Sequence, residues 1–397
     1  MSESALFNTY ASYPITLVKG KGTRLWDDQG KEYLDFMSGL AVANLGHAPD
    51  SVKNAIQAQL EELWHVSNLF GNPNKEKAAK LLVENSCADA VFFCNSGAEA
   101  NEAAIKLARR YQQKVKGADR YEIITFTQSF HGRTLATLTA TGQEKVKEGF
   151  GPLPSGFNYN VPLHDIPALE AAINEHTAAI MLELVQAEGG VIPVDPDFLR
   201  HVRALCDKNG LLLIIDEIQT GMGRTGKLFA YEHYDVQPDI FTLAKGIGSG
   251  FPVGAMLAKG DVVNGFAPGA HATTFGGTPI AMAAVVATIE TYLKDNIVAR
   301  AAAASDYLIA RLNEKLAGLP IVDRIRGKGL LIGILCKEPV ADLVSELHKR
   351  GLLVVTAGPN VIRLLPSLII TNEDIDTAVS LIAAVLTEHV AATAARP

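Results

Sequence analysis

The chain has 397 residues, of which 48% are hydrophobic and 20% are charged, and its formal net charge is −7. This composition excludes intrinsic disorder and collagen-like repeats, and the length is enough for two or three domains with large cores. The 36 Lys and Arg residues do not outnumber the 43 Asp and Glu residues, so the chain lacks the basic surplus of a general nucleic-acid binder.

The cysteine pattern and the first residues indicate a cellular compartment. The four cysteines form neither a C-x-x-C pair nor a cluster with histidine, so we predict no disulfide framework and no metal site. No positive charge precedes Lys19 and no apolar signal-peptide core is present, which predicts that there is no secretory leader. The longest uncharged apolar stretch, 279–289, is shorter than the roughly 18 residues of a membrane span. We therefore expect a cytoplasmic protein without a membrane partner.

Short runs rich in Val, Ile and Leu alternate with segments of helical period along the first three quarters of the chain. The runs are nearly continuous in apolar residues, which is typical of strands covered on both faces in a mainly parallel sheet flanked by helices. We therefore predict an α/β fold with a large domain over residues 46–290. The predicted strands are 90–94, 121–126, 178–184, 211–215, 240–243 and 253–257, and the predicted helices are 99–111 and 279–293.

The C-terminal quarter mixes strands and helices, which predicts a smaller α+β domain over residues 291–397. The first 45 residues are too few to bury a core of their own, so we expect residues 1–45 to pack with this small domain. No Pro-, Ser- or charge-rich linker divides the chain, which indicates a large interface between the domains, where ligand sites commonly form. The predicted elements are helix 301–316, strand 329–336, helix 340–350, strands 352–355 and 361–365, and helix 373–389.

A glycine-rich segment, GMGRTG at 221–226, matches G-x-G-x-x-G and nearly matches a P-loop. Leu228 stands where a P-loop has the hydroxyl that holds magnesium. A dinucleotide fingerprint needs its first glycine directly after a strand and a long helix afterwards, but five residues separate the predicted strand from Gly221. We therefore interpret the segment as a loop. A non-catalytic nucleotide- or phosphate-binding module that uses it remains the alternative from outside the enzymes.

Two ionisable residues stand at the ends of predicted strands. Asp216 follows the most apolar strand, and a buried carboxylate there needs a cationic or protonated partner. Lys245 follows the strand 240–243 and precedes a glycine-rich turn, so burial would destabilise its ammonium and make the amine nucleophilic. Taken alone, Asp216 is explained as a cap and Lys245 as a surface charge at a strand end. Together they indicate a site at the carboxyl edge of the sheet.

The segment NSGAE at 95–99 joins a predicted strand to a predicted helix. Ser96 and Glu99 have the spacing of a capping box, and the small residues between them let free amides and the helix dipole face an anion. Capping alone would explain this segment. Combined with Asp216 and Lys245, a phosphate cradle completes the set of groups that binds pyridoxal phosphate.

These motifs resemble the class III (omega-amino-acid) aminotransferases, which depend on pyridoxal phosphate and have fold type I. The resemblance covers essentially the whole chain, and the matching motifs occur in the family's order and spacing. It implies a large domain with a mainly parallel sheet flanked by helices, plus a small α+β domain. The matching segments are 95–102 (NSGAEANE), 130–134 (FHGRT), 216–226 (DEIQTGMGRTG), 244–246 (AKG) and 273–277 (TTFGG).

The resemblance implies a role for each matching residue around the cofactor. Lys245 would hold pyridoxal phosphate covalently and, once displaced by substrate, move the proton between substrate and cofactor. Asp216 would pair with the ring nitrogen and keep it protonated, Gln219 would bind the phenolic oxygen, and Phe130 would stack on the ring. His131, in the same motif as Phe130, is interpreted as a turn residue. The phosphate would be bound by Ser96, Gly97 and Ala98.

Other matching residues imply partners beyond the cofactor. Thr274 would reach the phosphate in the neighbouring subunit, which predicts a homodimer with shared sites. Arg363 would bind the α-carboxylate of glutamate, and Arg133 the γ-carboxylate of glutamate or the α-carboxylate of an ω-amino substrate. Glu188 would pair with Arg363 while the ω-amino substrate is bound.

Two further segments bear on the substrate. LWHVSNL at 63–69 and LAVANLGH at 40–47 resemble the branch of the family that acts on N-acetylornithine. The expected reaction is transfer of its δ-amino group to 2-oxoglutarate, giving N-acetylglutamate 5-semialdehyde and glutamate in arginine biosynthesis. Ornithine, succinylornithine, succinyl-diaminopimelate and γ-aminobutyrate remain alternative substrates. Departures from the family pattern at Leu184, Ala187 and Thr278 concern substrate preference rather than cofactor chemistry.

Overall fold

The predicted apolar runs form strands in the computed structural model, which describes residues 5–394. The expectation of no leader rests partly on residues 1–4, which lie outside the described residues, as do the last residues of the predicted small domain. The strands, in chain order, are β1 Leu17–Lys21, β2 Arg24–Asp27, β3 Glu32–Asp35, β4 Ala90–Cys94, β5 Glu122–Phe126, β6 Phe157–Val161, β7 Thr177–Glu183, β8 Val185–Gln186, β9 Ile192–Pro193, β10 Leu212–Asp216, β11 Ile240–Leu243, β12 Gly254–Ala258, β13 Val322–Lys328, β14 Leu331–Cys336, β15 Leu352–Leu353, β16 Val355–Thr356 and β17 Val361–Leu364.

The helices connect and cover these strands, and their ends follow local sequence signals. In the helix that precedes β10, Asp195 accepts hydrogen bonds from the amides of Asp197 and Phe198, Pro196 occupies the first turn, and Gly210 ends the helix with a φ of +64°, as expected for a capped helix. The α-helices are α1 Ser38–Ala41, α2 Asp50–Leu60, α3 Pro73–Glu84, α4 Gly97–Arg110, α5 Leu135–Ala140, α6 Ile166–Ala172, α7 Pro196–Asn209, α8 Pro279–Lys294, α9 Ile297–Leu316, α10 Ala341–Lys349 and α11 Asn372–Ala394. All four residues of α1 have positive φ values, so α1 is a single left-handed turn.

The central sheet has the strand order β4-β12-β11-β10-β7-β5-β6 within the described residues. β12 runs antiparallel to both neighbours, and the other pairings are parallel. β7 and β10 are buried along their whole length, which explains their continuous apolar sequences. The predicted α/β fold class is therefore confirmed.

Helices cover both faces of the central sheet, and alternate residues of one strand face opposite cores. Ile180 and Leu182 on β7 pack in a core that includes Phe198 of α7. Ala179 and Met181 pack in a second core that includes the buried alanines of α4. This alternation is the period of two expected of a strand. The sheet is therefore a rigid platform whose carboxyl edge carries the polar residues that follow each strand.

Two four-stranded sheets lie outside the central sheet. One has the order β1-β2-β3-β15, in which β3 from the N-terminal segment pairs in parallel with β15 from the C-terminal part. The other has the order β13-β14-β17-β16 and packs beside α9. β13 was not among the predicted strands. The boundaries of the predicted domains stay a prediction.

Among the described residues, helix α11 is long enough and apolar enough to span a membrane. Its apolar face is buried, with Ile375, Val379, Ile382 and Leu386 in the main core. The helix packs against α9 and α10. A core helix of a folded domain has the same composition, so the test gives weak support for a membrane span.

Candidate active site

A cavity of about 450 Å³ opens at the carboxyl edge of the central sheet. Residues that follow β4, β5, β7, β10 and β11 meet there, because the carboxyl ends of parallel strands lie on the same edge. The predicted site residues that line it are Ser96, Gly97, Ala98, Phe130, Arg133, Asp216, Gln219 and Lys245.

Lys245 starts a short 3₁₀ turn directly after β11 and has a φ of +47°. The turn packs closely against Asn44: a Cβ on Gly246 would lie 2.2 Å from the side-chain nitrogen of Asn44. Burial in the site lowers the pKa of Lys245 to about 8, because an ammonium is poorly solvated there. A substantial fraction of this amine is therefore neutral and nucleophilic near pH 8.

Asp216 is buried at the end of β10 and is held by three donors. Its carboxylate accepts hydrogen bonds from Asn101 Nδ2 at 2.8 Å and from the Ile218 amide at 3.0 Å, and His131 Nδ1 lies 2.9 Å from Oδ2. Asn101 in turn accepts a hydrogen bond from Thr242 at 2.7 Å. This network fixes an anion at one end of the cavity.

Sequence reasoning missed part of this network. The interpretation of His131 as a turn residue did not anticipate its contact with Asp216. Asn101 was also not singled out, although it is an asparagine among the buried alanines of α4. A fully buried amide on an alanine-rich face needs hydrogen-bond partners, and that signal could have identified it.

The opposite part of the cavity contains the N-terminus of α4. Ser96 caps the helix by accepting a hydrogen bond from the Glu99 amide at 3.2 Å. The Glu99 side chain accepts a hydrogen bond from the Asn95 amide at 2.7 Å. In a capping box the donor would be the amide of the N-cap residue, Ser96, which is one residue later. The amides of Gly97 and Ala98 stay free at the positive end of the helix dipole, and they can bind a phosphate.

Phe130 and Arg133 lie on the segment after β5. The Arg133 guanidinium lies 5.5 Å from the centroid of the Phe130 ring, and Arg133 is exposed toward the cavity mouth. A Cβ on Gly132 would lie 2.5 Å from Thr137 Oγ1 and 3.0 Å from Ala98 Cβ. This segment therefore passes close to the start of α4 only because position 132 is glycine.

Arg363 is 2% exposed and forms a bidentate ion pair with Glu188, at 2.6 and 3.2 Å. Gln219 connects this pair to the cavity, because its amide oxygen lies 3.2 Å from Arg363 Nη1 and its nitrogen lies 3.3 Å from Glu188. Burial raises the pKa of Glu188, but Arg363 outweighs that effect and the net shift is downward. The Glu188 carboxylate is therefore ionised at neutral pH.

Thr274 does not line this cavity. It lies beside the segment 65–68, in a part of the surface where Phe275 is 62% exposed. Asn68 donates hydrogen bonds to the carbonyls of Thr273 and Gly276, both at 3.0 Å, so the two segments form one surface. Thr274 also lines a second hollow with Asn95 and Glu99, and Asn95 Nδ2 donates a hydrogen bond to Thr273 Oγ1 at 3.3 Å. The segment therefore lies beside the start of α4, while Thr274 itself stays outside the main cavity.

The residues around the cavity fit pyridoxal phosphate in three respects. A buried amine, a fixed carboxylate and a helix N-terminus match the aldehyde, the ring nitrogen and the phosphate of that cofactor. Among residues 5–394, no group of three or more His, Cys, Asp or Glu side chains is arranged to hold a metal ion.

The comparison with known proteins agrees with this geometry. The class-III aminotransferase family matches residues 7–386. The chain is 52% identical to the acetylornithine aminotransferase of Bacillus cereus over 379 residues, 96% of each chain. It is 54% identical to the acetylornithine aminotransferase of Halalkalibacterium halodurans over 383 residues, 96% of this chain and 98% of that relative. The chain belongs to the class-III aminotransferases.

Solved structures of other aminotransferases have the same fold. The ornithine aminotransferase of Toxoplasma gondii superposes with a TM-score of 0.93 at 34% identity, covering 97% of this chain and 93% of that one. The N-acetylornithine aminotransferase of Stenotrophomonas maltophilia gives a TM-score of 0.84 at 37% identity, covering 96% and 98%. Membership confirms the predicted enzyme class and pyridoxal phosphate as its cofactor. As a class-III aminotransferase, the protein acts on small amines and keto acids.

Proposed function

We propose that this protein transfers the δ-amino group of N-acetylornithine to 2-oxoglutarate and takes part in arginine biosynthesis. The observation that carries the proposal is the identity of 52–54%, over nearly the whole of both chains, with relatives named acetylornithine aminotransferase. Structural similarity does not choose between substrates, because an ornithine aminotransferase superposes at least as well. Sequence identity favours the acetylated substrate.

Lys245 is the catalytic base of the proposed reaction. Pyridoxal phosphate supplies an aldehyde that accepts the amino group and a ring that withdraws electrons from the reacting carbon. Lys245 would hold the cofactor covalently through its neutral amine. Once the amine of the substrate displaces it from that bond, its pKa of about 8 would suit a base that accepts a proton from carbon and returns it near neutral pH. The left-handed backbone at Lys245 directs the side chain from the end of β11 into the cavity.

The remaining cofactor contacts hold the ring in one orientation. Asp216 would pair with the ring nitrogen, and its contacts with Asn101 and His131 hold the carboxyl group in one orientation. Phe130 would cover one face of the ring, Gln219 would bind its phenolic oxygen, and the start of α4 would bind the phosphate. The phosphate-binding residues are Ser96, Gly97 and Ala98.

The arginines bind the carboxylates of the two substrates. Arg133, exposed at the cavity mouth, binds the α-carboxylate of N-acetylornithine while Glu188 neutralises Arg363. When 2-oxoglutarate binds, Glu188 releases Arg363. Arg363 then binds the α-carboxylate of 2-oxoglutarate, and Arg133 binds its γ-carboxylate. The bidentate geometry of the Arg363–Glu188 pair supports this exchange, since the same guanidinium edge fits a substrate carboxylate.

The working unit in this proposal is a homodimer in the cytoplasm. Large apolar side chains beside Thr274 are exposed in the single chain, and Trp64, Leu69, Phe70 and Phe275 are each more than 60% exposed. An exposed apolar patch of this kind is typical of a subunit interface. Burial of this surface against a second copy would bring Thr274 to the phosphate of the partner's cofactor.

A panel of amino donors tests the substrate. Purified enzyme is mixed with N-acetylornithine, ornithine, succinylornithine, succinyl-diaminopimelate or γ-aminobutyrate, and loss of the bound cofactor's absorbance gives kcat/KM for each half-reaction. We expect N-acetylornithine to give the highest value, and 2-oxoglutarate to restore the absorbance. A clear preference for free ornithine would contradict the proposed substrate while leaving the enzyme class in place.

A further inference from the structure

Glu183 is a buried carboxyl in the cavity that the proposed reaction does not use. It ends β7, which pairs in parallel with β10, and its register partner is Asp216. Register partners on adjacent strands lie about 4.8 Å apart and point to the same face of the sheet. Both residues line the same cavity. The fold therefore places two carboxyls side by side where the cofactor ring would lie.

The two carboxyls differ in what stabilises a negative charge. Asp216 has contacts to Asn101, His131 and the Ile218 amide. Glu183, in contrast, accepts a hydrogen bond at Oε2 from the Phe130 amide, at 2.9 Å. Since two adjacent buried carboxyls do not both ionise readily, the proton goes to the one with fewer donors.

The other charges that face Glu183 do not reverse this assignment. Glu188, on the loop after β8, is already paired with Arg363. Lys245 lines the same cavity, and its charge lowers the pKa of Glu183 by less than burial and the charge on Asp216 raise it. Burial, followed by the charge on Asp216, raises the pKa of Glu183 well above its ordinary value.

We propose that Glu183 is a positioning residue that is present as a neutral carboxylic acid, so that Asp216 is the anion facing the cofactor ring. The neutral acid has two effects. Its Oε2 holds the backbone of Phe130, which sets the height of the aromatic ring over the cofactor. Its proton removes the like charge that would otherwise repel the Asp216 carboxylate. The inference rests on the proposed cofactor site and deepens it.

The first test measures protonation without cofactor or substrate, so its outcome is independent of the proposed substrate. An infrared difference spectrum of the full-length, cofactor-free protein, wild type minus Glu183→Gln, is recorded at pH 8. We expect the carbonyl band of a protonated carboxylic acid. Carboxylate bands at that pH would overturn the proposal even if N-acetylornithine is the preferred donor.

The second test uses the cofactor-loaded enzyme. Glu183→Gln is neutral and keeps the acceptor for the Phe130 amide, so we expect kcat and the pH dependence of cofactor absorbance to stay within about twofold of wild type. Glu183→Ala removes the acceptor, and we expect about tenfold weaker cofactor binding. Glu290→Gln, in an outer ion pair with Lys77, is the matched control.

Two results of the second test would also overturn the proposal. One is a loss of activity of about tenfold or more in Glu183→Gln together with a shifted pH profile, because that would require the ionised carboxylate. The other is unchanged cofactor affinity in Glu183→Ala. If the alanine variant does not fold, the glutamine variant and the infrared measurement still decide.

Discussion

Lys245 combines a strained backbone with a destabilised charge. A non-glycine residue in the left-handed region costs of order 1 kcal/mol, and its φ is +47°. Burial also lowers its pKa from 10.5 to about 8. Because the folded-state pKa lies below the unfolded one, the ammonium opposes folding fully below about pH 8, and this penalty disappears as the pH rises toward 10.5. The proposed catalytic residue therefore carries a cost to stability.

The same pKa predicts how fast the cofactor-free protein captures pyridoxal phosphate. Since the neutral amine reacts, the rate should rise about tenfold per pH unit below pH 8 and level off above it. Stopped-flow absorbance from pH 6 to pH 9.5 measures the rate, and borohydride reduction traps the product. Lys245→Ala should give no trapped cofactor. A capture rate that does not change over this range would contradict the assignment.

Glu188→Gln should separate the two half-reactions. Loss of the carboxylate charge leaves Arg363 unmasked, so the KM for 2-oxoglutarate should fall or stay the same. The kcat/KM for N-acetylornithine should fall by ~10-fold or more, because an unmasked guanidinium competes for its carboxylate. Each half-reaction serves as the control for the other, measured under single-turnover conditions. Equal losses in both would indicate general damage to the site and not loss of a charge-masking residue.

At the scale of elements, the loop 221–226 joins the central sheet to the strands that carry Arg363. Arg224 is fully buried and donates hydrogen bonds to the carbonyls of Leu330 at 3.0 Å and Pro366 at 2.5 Å, and to Asn44 Oδ1 at 2.6 Å. Leu330 precedes β14 and Pro366 follows β17. Burial lowers the pKa of Arg224 to about 10, so the side chain stays protonated at neutral pH. This glycine-rich segment thus has a structural role.

Arg224→Met should lower the stability of the fold and weaken binding of the keto acid. It leaves buried carbonyls without donors, so we expect unfolding to become easier by roughly 3 kcal/mol. The KM for 2-oxoglutarate should rise more than kcat falls, because β17 is displaced. Chemical denaturation and steady-state kinetics measure the two effects. Arg203→Met, whose partners Asp207 and Asp239 lie away from the cavity, should lower stability without changing this KM.

Sequence alone predicted the elements whose apolar pattern is strong and the motif residues that line the cavity. It did not predict β13, because charged residues and Gly327 interrupt its pattern. It also missed Glu183, since its importance depends on the register between β7 and β10. The partners of Arg224 are 106 and 142 residues away in the chain. Contacts set by register and long-range packing are not encoded in local composition.

At the scale of the whole molecule, the proposed site includes one residue, Thr274, that the single chain does not bring into its main cavity. Lys245 and Asp216 line the cavity, whereas Thr274 lies on the surface formed with the segment 65–68. That surface includes side chains such as Leu69, which is 87% exposed. Two copies related by a two-fold axis would each complete the other's site. Association and activity should therefore depend on the same residues.

Hybrid dimers test this arrangement. Lys245→Ala removes the reactive amine, and Thr274→Asp places a negative charge beside the partner's phosphate, so each variant alone should be nearly inactive. Refolding the two variants together in equal amounts yields hybrids in which one site has both wild-type residues. Because half of the dimers are hybrids, we expect about one quarter of wild-type activity. No recovery, with dimers shown by light scattering, would indicate that Thr274 acts within its own chain.

The pairing of β3 with β15 also constrains synthesis of the protein on the ribosome. Leu34 and Leu352 are register partners, about 320 residues apart. At roughly 5–20 residues per second, between about 15 s and 1 min passes before β3 meets its partner strand. During that time the edge of β3 is open to wrong pairing. Translation speed and chaperone access are therefore expected to affect the yield of this enzyme more than its final stability does.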